Sequence, residues 1–451
     1  MRIQLSDHFT YNRLYRFVFP TIVMMVFTSI YGIVDGLFVS NYVGKLPFSA
    51  LNLIYPLIMI LGSVGFMLGT GGNAVVSKSL GEGDREKANR IFSMLVYVTI
   101  GIGIALALIG ILLAPIAAEL LCASEKDLST QEKAELIEYC ILYGRIILAA
   151  LPAFMLQNAF QGFFVTSEKP RLGLFVIVLA GLTNIFLDWL FVAVFQWGLA
   201  GAAIATAISQ CVGGVIPVFY FARKNDSLLQ LGKTVFDGKT LLAVCINGSS
   251  ELLSNISASI VTILYNAQLM KYEGINGVSA YGIIMYASFT FAAIYIGYAI
   301  GSAPIVGFNY GAQNHVEMKN VFKKSMVSML AGGVLMATLA FALSNTLAQI
   351  FVSYDQALFD LTAHGFRIYA ISFLICGINI FASSFFTALG NGLISALISM
   401  LRVGFQIVTV LILPIFFQVE GIWFSIIVAE ILSCLVSVGF LIIYRKRYHY
   451  A

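Results

Sequence analysis

The chain has 451 residues, of which 59% are hydrophobic and only 11% are charged, and its formal net charge is +4. An ordinary soluble domain carries about 25% charged residues, so this composition excludes a soluble enzyme or binding module and indicates an integral membrane protein. The small positive surplus is of the size that membrane topology requires, and it does not indicate a nucleic-acid partner.

Apolar runs of about 20 residues recur along the whole chain, and each is long enough to cross about 30 Å of hydrocarbon as a helix. The charged and turn-rich breaks between these runs predict an all-α protein with twelve transmembrane helices. The predicted spans are 17–41, 48–76, 91–118, 137–165, 172–196, 199–222, 240–268, 277–303, 325–348, 368–389, 393–417 and 421–444.

The basic residues predict how the chain is oriented. If the N-terminus is cytoplasmic, 19 of the 26 Lys and Arg residues fall in cytoplasmic segments. The positive-inside rule therefore places both termini in the cytoplasm of a multi-pass cell-membrane protein.

Neither cysteine nor histidine indicates a redox or metal centre. The six cysteines show no CxxC or paired spacing, and only Cys122 falls in an evident loop. The four histidines lie far apart along the chain, which makes a histidine-based metal site improbable.

An internal repeat divides the chain into two predicted lobes, 1–225 and 240–451, joined by a polar, basic linker at 226–239. The segment "SKSLGEGDREKANRIF" after span two aligns with "GFNYGAQNHVEMKNVF" after span eight at a constant offset of 230, so that Gly81 corresponds to Gly311. Because six is an even number, both repeats begin on the same side of the membrane. We therefore expect two pseudo-symmetric six-helix lobes around a central cleft, as in two-lobed secondary transporters.

Energy for such a transporter would come from an ion gradient. The loop "LGEGDREKAN" lacks the GxxxxGK[ST] pattern of a phosphate-binding loop and lies between two membrane helices, so it predicts a tight turn followed by a capped helix. The sequence offers no nucleotide-binding domain, which disfavours an ATP-driven pump.

Carboxylates inside membrane spans are costly and are candidates for functional sites. Asp35, Asp188 and Thr206 each lie about 6 to 8 residues from the outer end of their span, which puts them at a similar depth, roughly 9 to 12 Å in. We therefore expect them to converge. Asn184 lies one helical turn from Asp188 on the same face. The acidic residues that fall clearly within spans are Asp35, Asp188, Glu251 and Glu430.

Two carboxylates, an amide oxygen and a hydroxyl form a hard ligand set that suits Na⁺, and two buried aspartates close together would hold one proton between them. Either ion is compatible with Asp35, Asn184, Asp188 and Thr206. The alternative is that each aspartate pairs with an arginine or caps a kinked helix, and that the neutral residues form an interhelical hydrogen bond.

Further polar residues are candidates for contact with a substrate. Glu251 lies near the middle of span seven on a face rich in Asn and Ser, and three amides of span four lie within about one turn. Amides also hold membrane helices together, which is the alternative. For Arg402 the sequence allows either neutralisation of a carboxylate or snorkelling. The candidate substrate-binding residues are Glu251, Gln157, Asn158, Gln161 and Asn379.

These segments resemble the multidrug and toxin extrusion (MATE) family. The matching segments are the glycine loops "SLGEGDREKAN" and "PIVGFNYGAQN" at equivalent repeat positions, "NIFLDWLF" in span five and Ala429-Glu430. The resemblance implies a cofactor-free antiporter that exports small organic, often cationic compounds in exchange for inward Na⁺ or H⁺. It further implies that the Asp35, Asn184, Asp188 and Thr206 set is a coupling-cation site, which would be a metal site if the ion is Na⁺.

The chain departs from the family pattern in span ten. Some members pair an acid in span seven, here Glu251, with an acid in span ten, where this chain has only Asn379. The same broad superfamily contains the alternative function, a lipid-linked oligosaccharide flippase. That function needs a wide cationic cavity, and only Arg145 and Arg402 are basic residues within spans. We expect a monomer in the bilayer that is not an enzyme.

Overall fold

A computed structural model describes residues 3–123, 129–352 and 355–450, and within these ranges every regular element is a helix. Two of the elements are π-helical segments, Val39–Val43 and Trp189–Val194. The α-helices are α1 (Tyr11–Phe38), α2 (Lys45–Gly81), α3 (Arg85–Cys122), α4 (Thr130–Ala149), α5 (Leu151–Thr166), α6 (Pro170–Asp188), α7 (Gly198–Ala222), α8 (Gly238–Gly311), α9 (His315–Val352), α10 (Gln356–Ala388) and α11 (Gly392–Tyr448).

The helices have the length and composition of membrane spans. Across the described ranges nine are long and apolar enough to cross a membrane, and α4 and α5 together form a tenth candidate, bent by 55°. The bend lies at Ala150, and Pro152 follows in the first turn of α5, where the missing N–H of proline costs no hydrogen bond. The chain is an all-α, multi-pass membrane protein.

Two helices are too long for a single crossing, which takes about 20 residues. α8 has 74 residues and contains non-helical backbone at Gly274, while α11 has 57 and contains it at Gln418. Both residues have positive φ, of 60° and 50°, which ends the helical hydrogen-bond pattern. These breaks lie between predicted spans seven and eight and between spans eleven and twelve. The total of twelve spans stays a prediction, and the two breaks favour it.

The chain packs as two compact units. One unit, called here the C-unit, comprises Met1–Val26, Ser77–Gly83 and Ser249–Ala451, and the other, the N-unit, comprises Phe27–Val76 and Asp84–Gly248. Three of the four unit boundaries therefore fall inside α1, α2 and α8, and the fourth lies between α2 and α3. The lobes that the repeat predicts follow the order of the chain instead, and their boundaries stay a prediction.

Glycines allow two close crossings of helix backbones. In the C-unit, a Cβ on Gly81 would lie 2.8 Å from the carbonyl carbon of Phe308, and a Cβ on Gly311 would lie 2.9 Å from that of Lys78. In the N-unit, a Cβ on Gly248 would lie 2.8 Å from the carbonyl carbon of Met67. Each carbonyl oxygen would be closer still. Small residues permit this approach, which side chains would prevent.

The predicted linker is fixed along α3 by hydrogen bonds. Arg85 donates through Nε to the Leu228 carbonyl at 3.0 Å and through Nη2 to the Ser227 carbonyl at 2.7 Å. Further along the helix, the backbone amides of Gln230 and Gly232 donate to α3 side chains, each at 3.0 Å. Four of the α3 side chains that bond the linker are spaced by four and therefore share one helical face. They are Arg85, Asn89, Ser93 and Tyr97.

The interpretation of Cys122 as a loop residue is wrong. Cys122 is the last residue of α3 and is fully buried, with its Sγ 4.0 Å from the Sγ of Cys140 on α4. Both helices extend beyond the predicted spans: α3 continues through the mostly apolar residues that follow residue 118, and α4 begins at a capping box formed by Ser129 and Glu132.

Candidate functional site

A polar cluster lies inside the N-unit on α1, α6 and α7. Thr206 of α7 donates through Oγ1 to Oδ1 of Asp35 at 3.5 Å, and Asn184 of α6 donates through Nδ2 to Thr206 Oγ1 at 3.4 Å. Asp188, the last residue of α6, interacts electrostatically with Asp35. The structure therefore brings together the four residues predicted to bind the cation. Both hydrogen bonds are long, so the oxygens are held loosely.

The helices reach this arrangement because small residues let them approach. At Gly181 of α6 an added Cβ would lie 2.9 Å from the ring of Tyr31 and 3.1 Å from that of Phe27, both on α1. Asn184 and Asp188 follow on α6, one and two turns later. The close contact at Gly181 thus places the polar face of α6 beside Asp35.

No basic side chain in the part of the chain that the structure describes pairs with the two acids of the cluster. Asp188 is 0% exposed and Asn184 is 1% exposed, whereas Asp35 and Thr206 are half-buried. Among the residues that the structure describes, no backbone, hydroxyl, amide or basic group donates to either carboxylate oxygen of Asp188 or to the amide oxygen of Asn184, so the Asp35 carboxyl is the hydrogen-bond partner of Asp188. Neither aspartate forms an ion pair with a basic side chain of the described ranges. A buried carboxylate is costly unless it is neutralised, so the cluster needs a proton or a cation.

The available atoms favour a hard cation over a transition metal. They are carboxylate, amide and hydroxyl oxygens, which suit Na⁺ or a shared proton. The described part of the chain contains no group of three or more His, Cys, Asp or Glu side chains positioned to hold a metal ion.

A π-helical segment follows each aspartate. Trp189–Val194 begins directly after Asp188, and Val39–Val43 begins four residues after Asp35. The two segments pack against each other within the N-unit. π-Helical turns are rare and are frequently found at functional sites. Nothing in the sequence pattern predicted them.

Two tyrosines near the acids were missed in the sequence. Tyr31 and Tyr143 both interact electrostatically with Asp35, and Tyr143 also interacts with Asp188. Tyr31 lies one helical turn before Asp35 on α1, so the i, i+4 spacing was a usable signal. Tyr143 comes from α4, and only the fold brings it to the cluster. Both phenols add neutral oxygens to the surroundings of the acids.

The three amides of span four lie on α5, also in the N-unit. Gln157, Asn158 and Gln161 are all buried. Each has one side-chain atom without a hydrogen-bond partner among the described residues, namely Gln157 Oε1, Asn158 Nδ2 and Gln161 Oε1. Gln157 packs against α7, where a Cβ on Gly213 would lie 2.6 Å from its Cδ. Buried amide atoms of this kind are available to water or to a polar ligand.

The other two substrate candidates belong to the C-unit. Glu251 is half-buried on α8, and the neighbouring Asn255 and Ser254 donate to carbonyls of their own helix, those of Glu251 at 2.8 Å and Ser250 at 2.7 Å. Asn379 is buried and donates through Nδ2 to the side chain and the backbone carbonyl of Glu430. Substrate binding by these residues stays a prediction.

Glu430 is the centre of a satisfied charge network in the C-unit. Arg402 donates to Glu430 Oε1 through Nε at 2.8 Å and through Nη2 at 2.6 Å. Asn379 Nδ2 donates to Oε2 at 2.7 Å and to the Glu430 carbonyl at 3.1 Å. Glu430 is 1% exposed. Of the two possibilities for Arg402, the geometry selects neutralisation of a carboxylate, whereas Arg145 is exposed.

Comparison with known proteins identifies relatives over nearly the whole chain. A family model described as MatE matches residues 20–190 and 252–412. The "Multidrug export protein MepA" of Staphylococcus haemolyticus (strain JCSC1435) is 24% identical over 439 residues, which cover 97% of this chain and 94% of that protein. The protein of the same name from Staphylococcus aureus (strain NCTC 8325 / PS 47) is 23% identical over 438 residues, again covering 97% and 94%.

Solved structures with the same fold include one described as the outward-facing conformation of a multidrug resistance MATE family transporter of the MOP superfamily. It superposes with a TM-score of 0.89 at 19% identity and covers 96% of each chain. A structure described as MATE in the straight conformation gives a TM-score of 0.87 at 19% identity, covering 97% of this chain and 96% of the other. At these identities the likeness concerns the fold.

Proposed function

The chain belongs to the MatE family of membrane transporters, and from this premise we propose that it is a secondary active antiporter that exports organic cations in exchange for inward Na⁺ or H⁺. As a member of this family the chain is a transporter and not an enzyme. Its relatives are multidrug export proteins, which supports a broad set of small organic substrates.

The observation that carries the proposal is the acid pair of the N-unit. Asp35 and Asp188 interact, Asp188 is fully buried and has no hydrogen-bond partner among the described residues other than Asp35, and no basic side chain of those residues pairs with them. Such a pair is stable only when a proton or cation joins it. We infer that the coupling ion binds to Asp35, Asn184, Asp188 and Thr206 once in each cycle.

Glycines on α1 support a movement that accompanies ion binding. A Cβ on Gly32 would meet nothing within 4 Å, and one on Gly36 would meet only the Phe48 ring at 3.7 Å. Packing therefore does not require glycine at either position. What glycine contributes there is backbone freedom on both sides of Asp35. We infer that α1 bends at this point when Asp35 is neutralised.

Coupling of ion and substrate requires only that the two prefer different conformations or compete for the same charge. The buried amides of α5 and the half-buried Glu251 are the proposed substrate contacts. The amides would orient polar groups of a substrate, and Glu251 would bind its positive charge.

A flippase function is not favoured. Recognition of a pyrophosphate in a transport cavity requires free basic groups inside that cavity. Arg402 is not free, because it is bonded to Glu430, and Arg145 is exposed and therefore not enclosed in a cavity. The curated relatives are multidrug export proteins. A lipid-flipping measurement in liposomes distinguishes the two functions, and we expect no flipping above that of empty liposomes.

The test of the ion site is Asp35→Asn in proteoliposomes, with export of a cationic dye as the readout. The substitution keeps the size of the side chain and removes the charge that attracts the ion, so we expect ion-driven export to fall to background while expression and folding are normal. Glu119→Gln is the matched control, because Glu119 is an exposed carboxylate on α3, and it should transport as the native chain does. Full transport by the Asp35→Asn protein would refute the site.

The coupling ion is identified by imposing either a Na⁺ gradient or a pH gradient, with choline replacing Na⁺ as the control. One gradient should drive export and the other should not. Export of a neutral dye of similar size, measured in parallel, tests the preference for cations. If neither gradient drives export, the antiport proposal fails.

A further inference from the structure

The two compact units each contain a buried carboxylate, but the two carboxylates have different partners. In the N-unit, no positively charged or neutral donor among the described residues bonds the oxygens of Asp188, whose partner is a second acid, Asp35. In the C-unit, both oxygens of Glu430 are bonded, one by Arg402 and the other by Asn379. The difference is one of counter-charge, since both acids are almost completely buried.

The charges near each acid give the same contrast. Asp35 and Asp188 together carry two negative charges when both are ionised, and no basic group of the described chain pairs with them. Glu430 and Arg402 together are neutral. The other groups on which Glu430 acts electrostatically include Tyr369 and Cys376, which carry no charge when protonated. The C-unit cluster therefore needs no ion, whereas the N-unit cluster does.

The two clusters occupy corresponding spans of the sequence repeat. Asp188 is in predicted span five and Thr206 in span six, while Arg402 is in span eleven and Glu430 in span twelve. Spans eleven and twelve are the fifth and sixth spans of the second repeat. The same pair of helices in each repeat thus carries a buried acidic cluster, and a basic residue completes only one of the two.

We propose that the Arg402 guanidinium is a tethered counter-cation, which fills in the C-unit the role that a mobile cation has in the N-unit. The antiporter then uses a single coupling-cation site in each cycle. This inference rests on the proposed function. It also accounts for Asn379, whose amide nitrogen bonds Glu430 while its Oδ1 is buried without a partner among the described residues. Without the guanidinium, Glu430 and Asn379 Oδ1 are hard oxygen ligands suited to Na⁺, or the carboxylate takes up a proton.

The experiment looks for a cation site that appears when the tethered cation is removed. Binding of radioactive Na⁺ to the purified full-length protein and the infrared band of protonated carboxyl groups are measured, so that either ion is detected. The Asp35→Asn protein should show neither Na⁺ binding nor a Glu430 proton. Adding Arg402→Gln should create one new binding or protonation event. Adding Glu430→Gln as well should remove it.

Two further variants separate charge from structure. Arg145→Gln in the Asp35→Asn background is the matched control, since Arg145 is the other arginine within a span and is exposed, and it should create no event. Arg402→Lys keeps a tethered cation and should also create none. A new event in either variant, or none in the folded Arg402→Gln protein, overturns the proposal.

If the Arg402→Gln protein does not fold, cation binding by the native chain still tests the proposal. Its cation binding should disappear completely on Asp35→Asn, and a remaining component that Glu430→Gln removes would refute a single coupling site. Failure of the proposed function gives a different result, because Asp35→Asn would then leave dye export and cation binding intact. The effect of Arg402→Gln is still measured separately, as the binding or protonation event that Glu430→Gln removes.

Discussion

The glycine crossing between α2 and α8 gives a quantitative test of the backbone packing. Alanine at Gly81 would place a Cβ 2.8 Å from the Phe308 carbonyl carbon, and alanine at Gly311 would place one 2.9 Å from that of Lys78, each closer still to the oxygen. Real Cβ atoms essentially never approach closer than 3.0 Å. Because the obstacle is backbone on both sides, the two helices must separate by about 1 Å to admit either methyl group.

Overpacking of this kind costs about 1 to 3 kcal/mol. Both substitutions require the same separation, so once the first methyl has moved the helices apart the second adds little. The Gly81→Ala/Gly311→Ala protein should then be less destabilised than the sum of the single variants by about 1 to 2 kcal/mol, within the range of coupling between residues in contact. For a compact unit of this size, each kcal/mol lowers the melting temperature by about 2 to 4 °C.

The assay is the apparent melting temperature of the purified protein in detergent, measured for the native chain, both single variants and the double variant. Gly101→Ala is the control, because its Cβ would meet nothing within 4 Å, and it reports the gain of up to about 1 kcal/mol from replacing glycine in a helix. Strictly additive losses, or single variants as stable as the control, would show that the two backbones do not share one contact.

Two other predictions concern the linker. Arg85→Ala removes the hydrogen bonds to Ser227 and Leu228, which contribute about 1 kcal/mol for a partly exposed charged donor. Trypsin should therefore cut the linker roughly fivefold faster. An unchanged rate of cleavage would contradict the attachment of the linker to α3. At the start of α8, the hydrogen bond from the Thr240 side chain and those from the backbone amides hold the pKa of Asp237 below its ordinary value of 3.8. The contribution of the Asp237 carboxylate to stability is therefore complete above pH 3.8 and is lost as the pH falls through the lowered pKa. Asp237→Asn should remove part of the acid dependence of thermal stability. An unchanged curve of melting temperature against pH would contradict this.

Helix geometry explains why the convergence of the polar cluster could be predicted. A helix fixes the depth of each residue at about 1.5 Å per position, so equal distances from the span ends placed Asp35, Asp188 and Thr206 at one level. The i, i+4 rule then added Asn184. Depth does not determine which way each helix is rotated. For that reason the neighbours contributed by other helices, such as Tyr143, could not be found.

The rotation of each helix about its axis also determines which polar side chains are in contact, and the sequence left these contacts open. Arg402 and Glu430 are 28 residues apart on α11, and the break at Gln418 between them turns the chain so that they meet. The π-helical segments after Asp35 and Asp188 were equally beyond prediction, because they depend on packing between the two segments and not on a residue pattern.

The repeat offset explains what the two halves of the sequence share and where they differ. Gly81 meets Phe308 and Gly311 meets Lys78, and in the alignment at offset 230 these are the same contact seen from each repeat. This backbone contact therefore follows the symmetry of the two sequence repeats. The charges do not, because an unneutralised acid pair on spans one and five has no counterpart beside Arg402 and Glu430. Under the proposed function, ion binding therefore changes the charge of one half of the molecule and not of the other, while the direction of transport is set by the ion gradient.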